Sequence, residues 1–288
     1  MTAPRKNVEF ESSGATLRGW LYRPEASTPG PAVVMAHGLS AVKEMFLDDY
    51  AEAFARAGFT TLVYDHFGFG DSDGEPRQSP AGEIQLQGYR DAVTWLAGQD
   101  FVDPGRIGLW GSSLSGGLVI TLASEAIPIA CAVAQVPYIG EGSPDFPEGA
   151  LAAIARAAET GRADATVPAV TATPDGEGVM FLDQAFDWFT RTAAKRAPNW
   201  RNELLIAGLV DPAAPVPINN LGQARVPLLL IVAPGDRLTP PGPAMTIAAQ
   251  TPSVSVVEIP GDHFDAYESG FQSSSEPAIE WFRKHLNA

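Results

Sequence analysis

A serine becomes a usable nucleophile only when the chain presents its hydroxyl and supplies a base to take its proton. The stretch Gly111-Ser112-Ser113-Leu114-Ser115-Gly116-Gly117 could supply the presentation. An apolar, strand-like run at 106–110 leads into it, and an apolar, helix-like run at 118–123 leads out. At a sharp strand-to-helix turn the residues two before and two after the nucleophile must be small. Gly111 and Ser115 meet that need around Ser113, with serine at the fifth position where glycine is usual. Ser115 is also flanked by small residues, Ser113 and Gly117, so the motif alone leaves two candidates. Strand register separates them. If Trp110-Gly111 ends the strand, Ser113 sits at the tip and Ser115 in the first helical turn. The competing reading is a serine-rich helix start in which Ser112 or Ser113 merely caps.

A serine nucleophile needs a histidine, and that histidine needs an orienting acid. The chain has four histidines. His285 lies in a C-terminal helical pattern and reads as a surface residue. His37 ends a strand before Gly38 and reads as loop-shaping. His66 follows Asp65 at another strand end; it could line a pocket, but it precedes the serine. His263, in Gly261-Asp262-His263-Phe264, follows the last strand pattern and precedes the last helix. That position overhangs the C-terminal edge of a parallel sheet, where open α/β sheets place their sites. The acid expected between the two is Asp236, after the run 228–232, with Asp145 as runner-up. An oxyanion needs preorganised donors. The backbone N–H of Leu114 and that of Leu39, beside the permissive Gly38, are the candidates.

These groups need a scaffold. The run 32–36 is continuously apolar, as for a strand buried on both faces. Helical periodicity follows at 44–57, a strand at 60–64, a helix at 81–96, the strand before Ser113, and a strand at 127–134. Strand and helix alternate to about residue 136, which predicts a mostly parallel sheet flanked by helices. A hairpin at 8–22 precedes this. The segment 137–223 breaks the alternation, with helical pieces near 150–159 and 180–195. The pattern resumes with a strand at 226–232, a helix near 243–250, a strand at 254–259 and a last helix at 276–286. The domain expectation is a core of 1–136 and 224–288, with 137–223 as a helical lid insertion.

Composition narrows the partners. The 288 residues carry 34 acidic and 19 basic side chains, a formal net charge of −15. Such a surface repels phosphate backbones and anionic lipid, so neither nucleic acid nor membrane is an expected partner. A small-molecule substrate is, and a homodimer is an allowed assembly. Cys131, the single cysteine, reads as a core residue. There is no apolar signal core at the N-terminus, and the default setting is cytoplasmic. No C-x-x-C or H-E-x-x-H occurs, and the glycine pairs form no dinucleotide fingerprint, so no metal and no other cofactor is expected.

The ordered set His37-Gly38, Asp65-His66-Phe67-Gly68-Phe69-Gly70-Asp71-Ser72, Gly111 to Gly117, Asp236 and Gly261-Asp262-His263-Phe264 resembles the α/β-hydrolase superfamily, closest to its dienelactone-hydrolase-like esterase branch. The resemblance implies an α/β-hydrolase fold, Ser113 as nucleophile, Asp236 as acid, His263 as base, and Leu39 and Leu114 as oxyanion donors. It also implies that residues 65–72 match a D-x-R-G-x-G-x-S loop in which Phe67 replaces arginine, removing a loop-pinning ion pair. The lid aromatics Phe181, Trp188 and Trp200, with Tyr138, are the expected substrate contacts. The leading functional expectation is hydrolysis of a carboxylic ester or thioester of a small, apolar substrate through an acyl-enzyme. Transfer of the same acyl group to an alcohol or amine, and non-catalytic ligand binding on the same fold, are the alternatives.

Overall fold

The computed structural model describes residues 5–24, 28–140, 146–173 and 175–287. Asp145, the runner-up acid, lies outside the described residues. In chain order the elements are β1 (Arg5–Ser12), β2 (Ala15–Tyr22), β3 (Gly30–Ala36), α1 (Leu47–Arg56), β4 (Thr60–Tyr64), α2 (Gly82–Ala97), β5 (Val102–Ser112), α3 (Leu114–Ala123) and β6 (Cys131–Gln135). Then come α4 (Glu148–Thr160), β7 (Thr166–Val167), α5 (Asp183–Arg196), β8 (Leu204–Leu205), α6 (Ile206–Leu209) and α7 (Ile218–Leu221). The chain closes with β9 (Leu228–Val232), α8 (Gly242–Ala248), β10 (Val254–Glu258) and α9 (Phe271–Leu286).

Eight strands form one sheet in the order β1-β2-β4-β3-β5-β6-β9-β10. The N-terminal hairpin is antiparallel and joins β4 antiparallel; every other pairing in the sheet is parallel. Successive side chains of a strand face opposite sides. Val33 and Met35 therefore join one core, with Phe54 of α1 and Phe282 of α9. Ala32, Val34 and Ala36 join the other, with Leu86 of α2 and Leu118 of α3. This covering of both faces explains the apolar runs 32–36, 62–64 and 131–134 within β3, β4 and β6.

α3 is buried along its length from Ser115 to Ala123, because the chain after β6 covers its outer side. Its apolar sequence lacks amphipathic periodicity for that reason. Several boundaries differ from expectation; β6, for one, begins at Cys131 rather than 127. α1 begins at Leu47 rather than 44, since Phe46 takes a left-handed conformation (φ 67°). α9 begins at Phe271 rather than 276, with Ser274 and Ser275 buried on its inner side. The segment after β6 also holds the short β7–β8 pair and the one-turn helices α6 and α7, none of which has a periodic signature.

Candidate active site

β5 ends at Ser112 and α3 starts at Leu114, so Ser113 is the turn itself. Its backbone sits at φ 57°, ψ −120°, a strained conformation for a residue with a side chain. Hydrogen bonds clamp it there: Ser113 N–H donates to the Gln135 carbonyl at 2.9 Å, and the Tyr138 N–H donates to the Ser113 carbonyl at 2.9 Å. A Cβ on Gly111 would lie 2.3 Å from the Ser115 carbonyl oxygen, so strand and helix can cross this tightly only with glycine there. Ser112 and Ser115 are fully buried. Ser113 is partly exposed and borders two cavities. Of the three serines, only Ser113 is presented.

His263 follows β10 and is buried. Its Nδ1 lies 2.7 Å from Asp236 Oδ2. Asp236, in the turn after β9, accepts further bonds from the Leu238 and Thr239 N–H groups, each at 2.8 Å, and from the Thr239 hydroxyl at 2.8 Å. Burial alone would raise the Asp236 carboxyl; the adjoining His263 and the Thr239 donors outweigh it and hold the carboxyl below its ordinary value. With Asp236 Oδ2 accepting, the proton of a neutral imidazole belongs on Nδ1, which leaves Nε2 free as a base. His263 and Ser113 border the same small cavity of about 20 Å³, enough for roughly one water molecule. No Ser113–His263 hydrogen bond is formed among the described residues; such contacts commonly tighten only when substrate binds.

The loop after β3 closes over the serine. A Cβ on Gly38 would stand 2.9 Å from Ser113 Cβ, so the backbone approaches as closely as glycine permits. Leu39 borders both cavities, and its N–H has no acceptor among the described residues. The Leu114 N–H, in the first turn of α3, is one of the donors a helix leaves unpaired. The larger cavity, about 190 Å³, runs from Ser113 under the segment 137–223. Tyr138, Met180, Phe181, Leu209 and Pro215 are among its walls, and among the described residues none that lines it carries a charge.

A model of the X-Pro dipeptidyl-peptidase (S15) family matches residues 13–235. The chain belongs to this family. Among curated proteins, a thiohydrolase of Eupenicillium brefeldianum is 33% identical over 249 residues, covering 83% of this chain and 80% of the relative. The polyketide transferase grgF of a Penicillium species is 40% identical over 146 residues, which is 50% of this chain and 49% of that one. The crystal structure of the α/β hydrolase GrgF from Penicillium sp. sh18 superposes with a TM-score of 0.83 at 25% identity, covering 99% of this chain and 100% of that chain. This S15-family chain therefore has an α/β-hydrolase fold and hydrolase relatives.

In this family member the expected site residues divide by position. Asp236 and His263 are hydrogen bonded, Ser113 and His263 share a cavity, and Leu39 and Leu114 flank Ser113. Tyr138 and Phe181 face the larger cavity and Trp188 the smaller one. Trp200 does not reach either: it stacks on Phe189 with ring centroids 5.5 Å apart, a packing role. His66 lines no pocket; it is fully buried behind the elbow. The ion pair thought lost with Phe67 is also present in another form. Lys43 Nζ, buried, lies 2.6 Å from Asp65 Oδ2 and 2.6 Å from Asp71 Oδ2. The cation comes from the loop after β3, 22 residues before Asp65, where no local pattern reveals it. The same ammonium fills the acidic cluster Glu44, Asp65 and Asp71, the one group of carboxylates among the described residues close enough to suggest a metal.

No helix among the described residues is long and apolar enough to cross a membrane.

Proposed function

We propose that the protein is a serine hydrolase that cleaves an ester or thioester of a small, mainly apolar acyl group. Ser113 Oγ attacks the acyl carbonyl while His263 Nε2 takes its proton. Asp236 holds the imidazole and stabilises its charged form. The Leu39 and Leu114 N–H groups receive the oxyanion. The carbonyl re-forms as the leaving group departs with the proton from His263, and water then repeats the sequence on the acyl-enzyme. The observation that carries this reading is the strained, partly exposed Ser113 sharing a cavity with an imidazole bonded to a buried carboxylate.

The apolar lining that the described residues give the larger cavity supports an acyl group rather than a peptide. An X-Pro dipeptidyl substrate brings a cationic amine, which is costly to bury without an acidic partner. The name thiohydrolase on a relative at 33% identity supports a thioester as the natural bond. The dienelactone-hydrolase-like branch belongs to the same proposal at the level of small-ester chemistry. So does the assignment of 137–223 as a lid over a core of 1–136 and 224–288, supported by Tyr138, Met180 and Phe181 forming cavity walls.

A second reading, acyl transfer to an alcohol or amine, is favoured by the relative named a polyketide transferase. Both share the acyl-enzyme. Ser113→Ala is expected to lower turnover of a p-nitrophenyl ester by on the order of 10⁴ or more with the circular dichroism spectrum unchanged. Full activity in that variant would refute both readings, and product analysis with competing alcohols separates them.

A further inference from the structure

Ser115 stands where glycine is usual, and the proposed reaction leaves its hydroxyl unused. That hydroxyl is fully buried, 2.5 Å from the His37 carbonyl oxygen and 2.8 Å from His66 Nε2. Proton accounting fixes the directions. A carbonyl only accepts, so the single hydroxyl proton of Ser115 goes to His37 O. His66 must then donate from Nε2, which leaves its Nδ1 bare; that atom is buried without a partner. The His66 backbone N–H donates to His37 Nε2 at 3.1 Å, so His37 carries its proton on Nδ1. That Nδ1–H donates to the Gly38 carbonyl at 2.9 Å, and the Ala41 N–H donates to the same oxygen at 3.3 Å. Burial pushes both imidazoles down, His37 to about 4, which keeps each ring neutral as this chain of donors requires.

Two successive carbonyls, those of His37 and Gly38, are thereby pinned. In a trans peptide the C=O and N–H of one unit point in opposite directions. The one cis bond among the described residues is Glu75-Pro76, so the Gly38–Leu39 unit is trans. Pinning the Gly38 carbonyl therefore sets the direction of the Leu39 N–H. We propose that Ser115 is a positioning residue: its hydroxyl, held between His66 and the His37 carbonyl, ties the helix that carries the nucleophile to the oxyanion loop and aims the Leu39 N–H. This inference rests on the Ser113 reading above.

The test uses Ser115→Ala and Ser115→Gly in the full chain. The glycine variant carries the residue usual at this elbow, so the pair provides a folded protein to measure. Three quantities are read: kcat and KM for a p-nitrophenyl ester, Ki for a trifluoromethyl ketone with the same acyl chain, and Tm. Addition of Ser113 Oγ to the ketone forms one C–O bond, sends the carbonyl π electrons onto oxygen and the hydroxyl proton to His263. The adduct thus places an oxyanion where the reaction does. Removing a whole oxyanion donor costs about 10²–10³ in kcat. Mis-aiming one is expected to lower kcat on the order of tenfold, leave KM within about twofold, and weaken the ketone by the same factor as kcat. Unchanged kcat in both variants overturns the proposal. So does a fall in kcat with unchanged ketone affinity, or a loss accounted for by the unfolded fraction. If the native protein fails to bind the ketone and Ser113→Ala keeps full turnover, the acyl-enzyme reading itself falls.

Discussion

Lys43→Met is the most demanding perturbation of the scaffold under the site. The ammonium contacts Asp65 at 2.6 Å, Asp71 at 2.6 Å and Glu44 at 2.9 Å, and Asp65 is fully buried. Methionine keeps most of the apolar stem; the ammonium itself lies 4.8 Å from the centre of the Trp20 ring. What it removes is the charge. Burial pushes the Asp65 carboxyl up, and Lys43 is the main opposing influence. Without it, Asp65 retains backbone donors from Lys43 N and Asp71 N but no cation. Breaking a buried pair from one side costs about 3–5 kcal/mol. In a chain of this length 1 kcal/mol moves Tm by about 2 °C, so Tm should fall by roughly 8 °C. The loss should shrink in acid, because a carboxyl whose folded pKa is raised is stabilised by protonation and loses that benefit as pH rises. Adding Asp65→Asn should recover part of the loss; the rest stays lost, because the Asp71 N–H would then face an amide NH₂ instead of an oxygen. Differential scanning calorimetry at neutral and mildly acidic pH measures all of this. A single variant within 1 kcal/mol of the native protein, or additive single and double effects, would refute the reasoning.

His37 and His66 are buried neutral, with folded pKa values below the unfolded value of about 6.5. Both contributions are intact above that value and weaken as pH falls below it; for His37 the loss runs down to about 4 and costs about 3 kcal/mol across the window. Urea titrations between pH 6.5 and 5 should show that slope, and the raised carboxyl of Asp65 opposes it; a slope that is the same in His37→Gln as in the native protein would contradict the assignment. Leu209→Trp should fill the larger cavity, lowering kcat/KM for an octanoyl ester at least about tenfold while an acetyl ester stays within about threefold. An equal loss for both esters would mean that the cavity does not hold the acyl chain.

Most of the sheet was legible because two-sided burial leaves a plain signature. β4, β6 and β9 are buried at every position and mostly apolar, β3 is apolar from Ala32 to Ala36, and α1 and α2 carry the 3.6-residue period. The order of Ser113, Asp236 and His263 was legible because each falls just after a strand, and parallel strands bring those ends to one edge. Long-range pairing was not. Nothing near Asp65 announces that Lys43 neutralises it, and nothing near Ser115 announces that its partners are His37 and His66. The helix boundary at Phe46 has no signal in the sequence, because a left-handed conformation is not one that a phenylalanine announces. Trp200 packs on Phe189 instead of bordering a cavity, because an aromatic in the segment 137–223 can pack on another aromatic as readily as on a ligand, and composition does not distinguish them.

These long-range contacts also bear on how the site holds its geometry. The loop 37–43, which carries the proposed oxyanion donor, lies between two polar clusters, the first buried and the second partly so. At one end are His37, His66 and Ser115, all neutral; at the other Lys43, Asp65 and Asp71, all in contact with a charge. Each cluster joins that loop to a different neighbour, the first to α3 and the second to the turn after β4. A loop fixed only by apolar packing could slide by a fraction of an ångström at little cost, whereas buried hydrogen-bonded groups lose a partner if they move. The two ends should therefore fail differently. Loss of the charged cluster should act first on stability, since an uncompensated carboxylate remains behind. Loss of the neutral cluster should act first on kcat, since Ser115→Ala leaves no buried charge: it strands one neutral donor, the His66 Nε2–H, and releases the His37 carbonyl that helps set the aim of the Leu39 N–H.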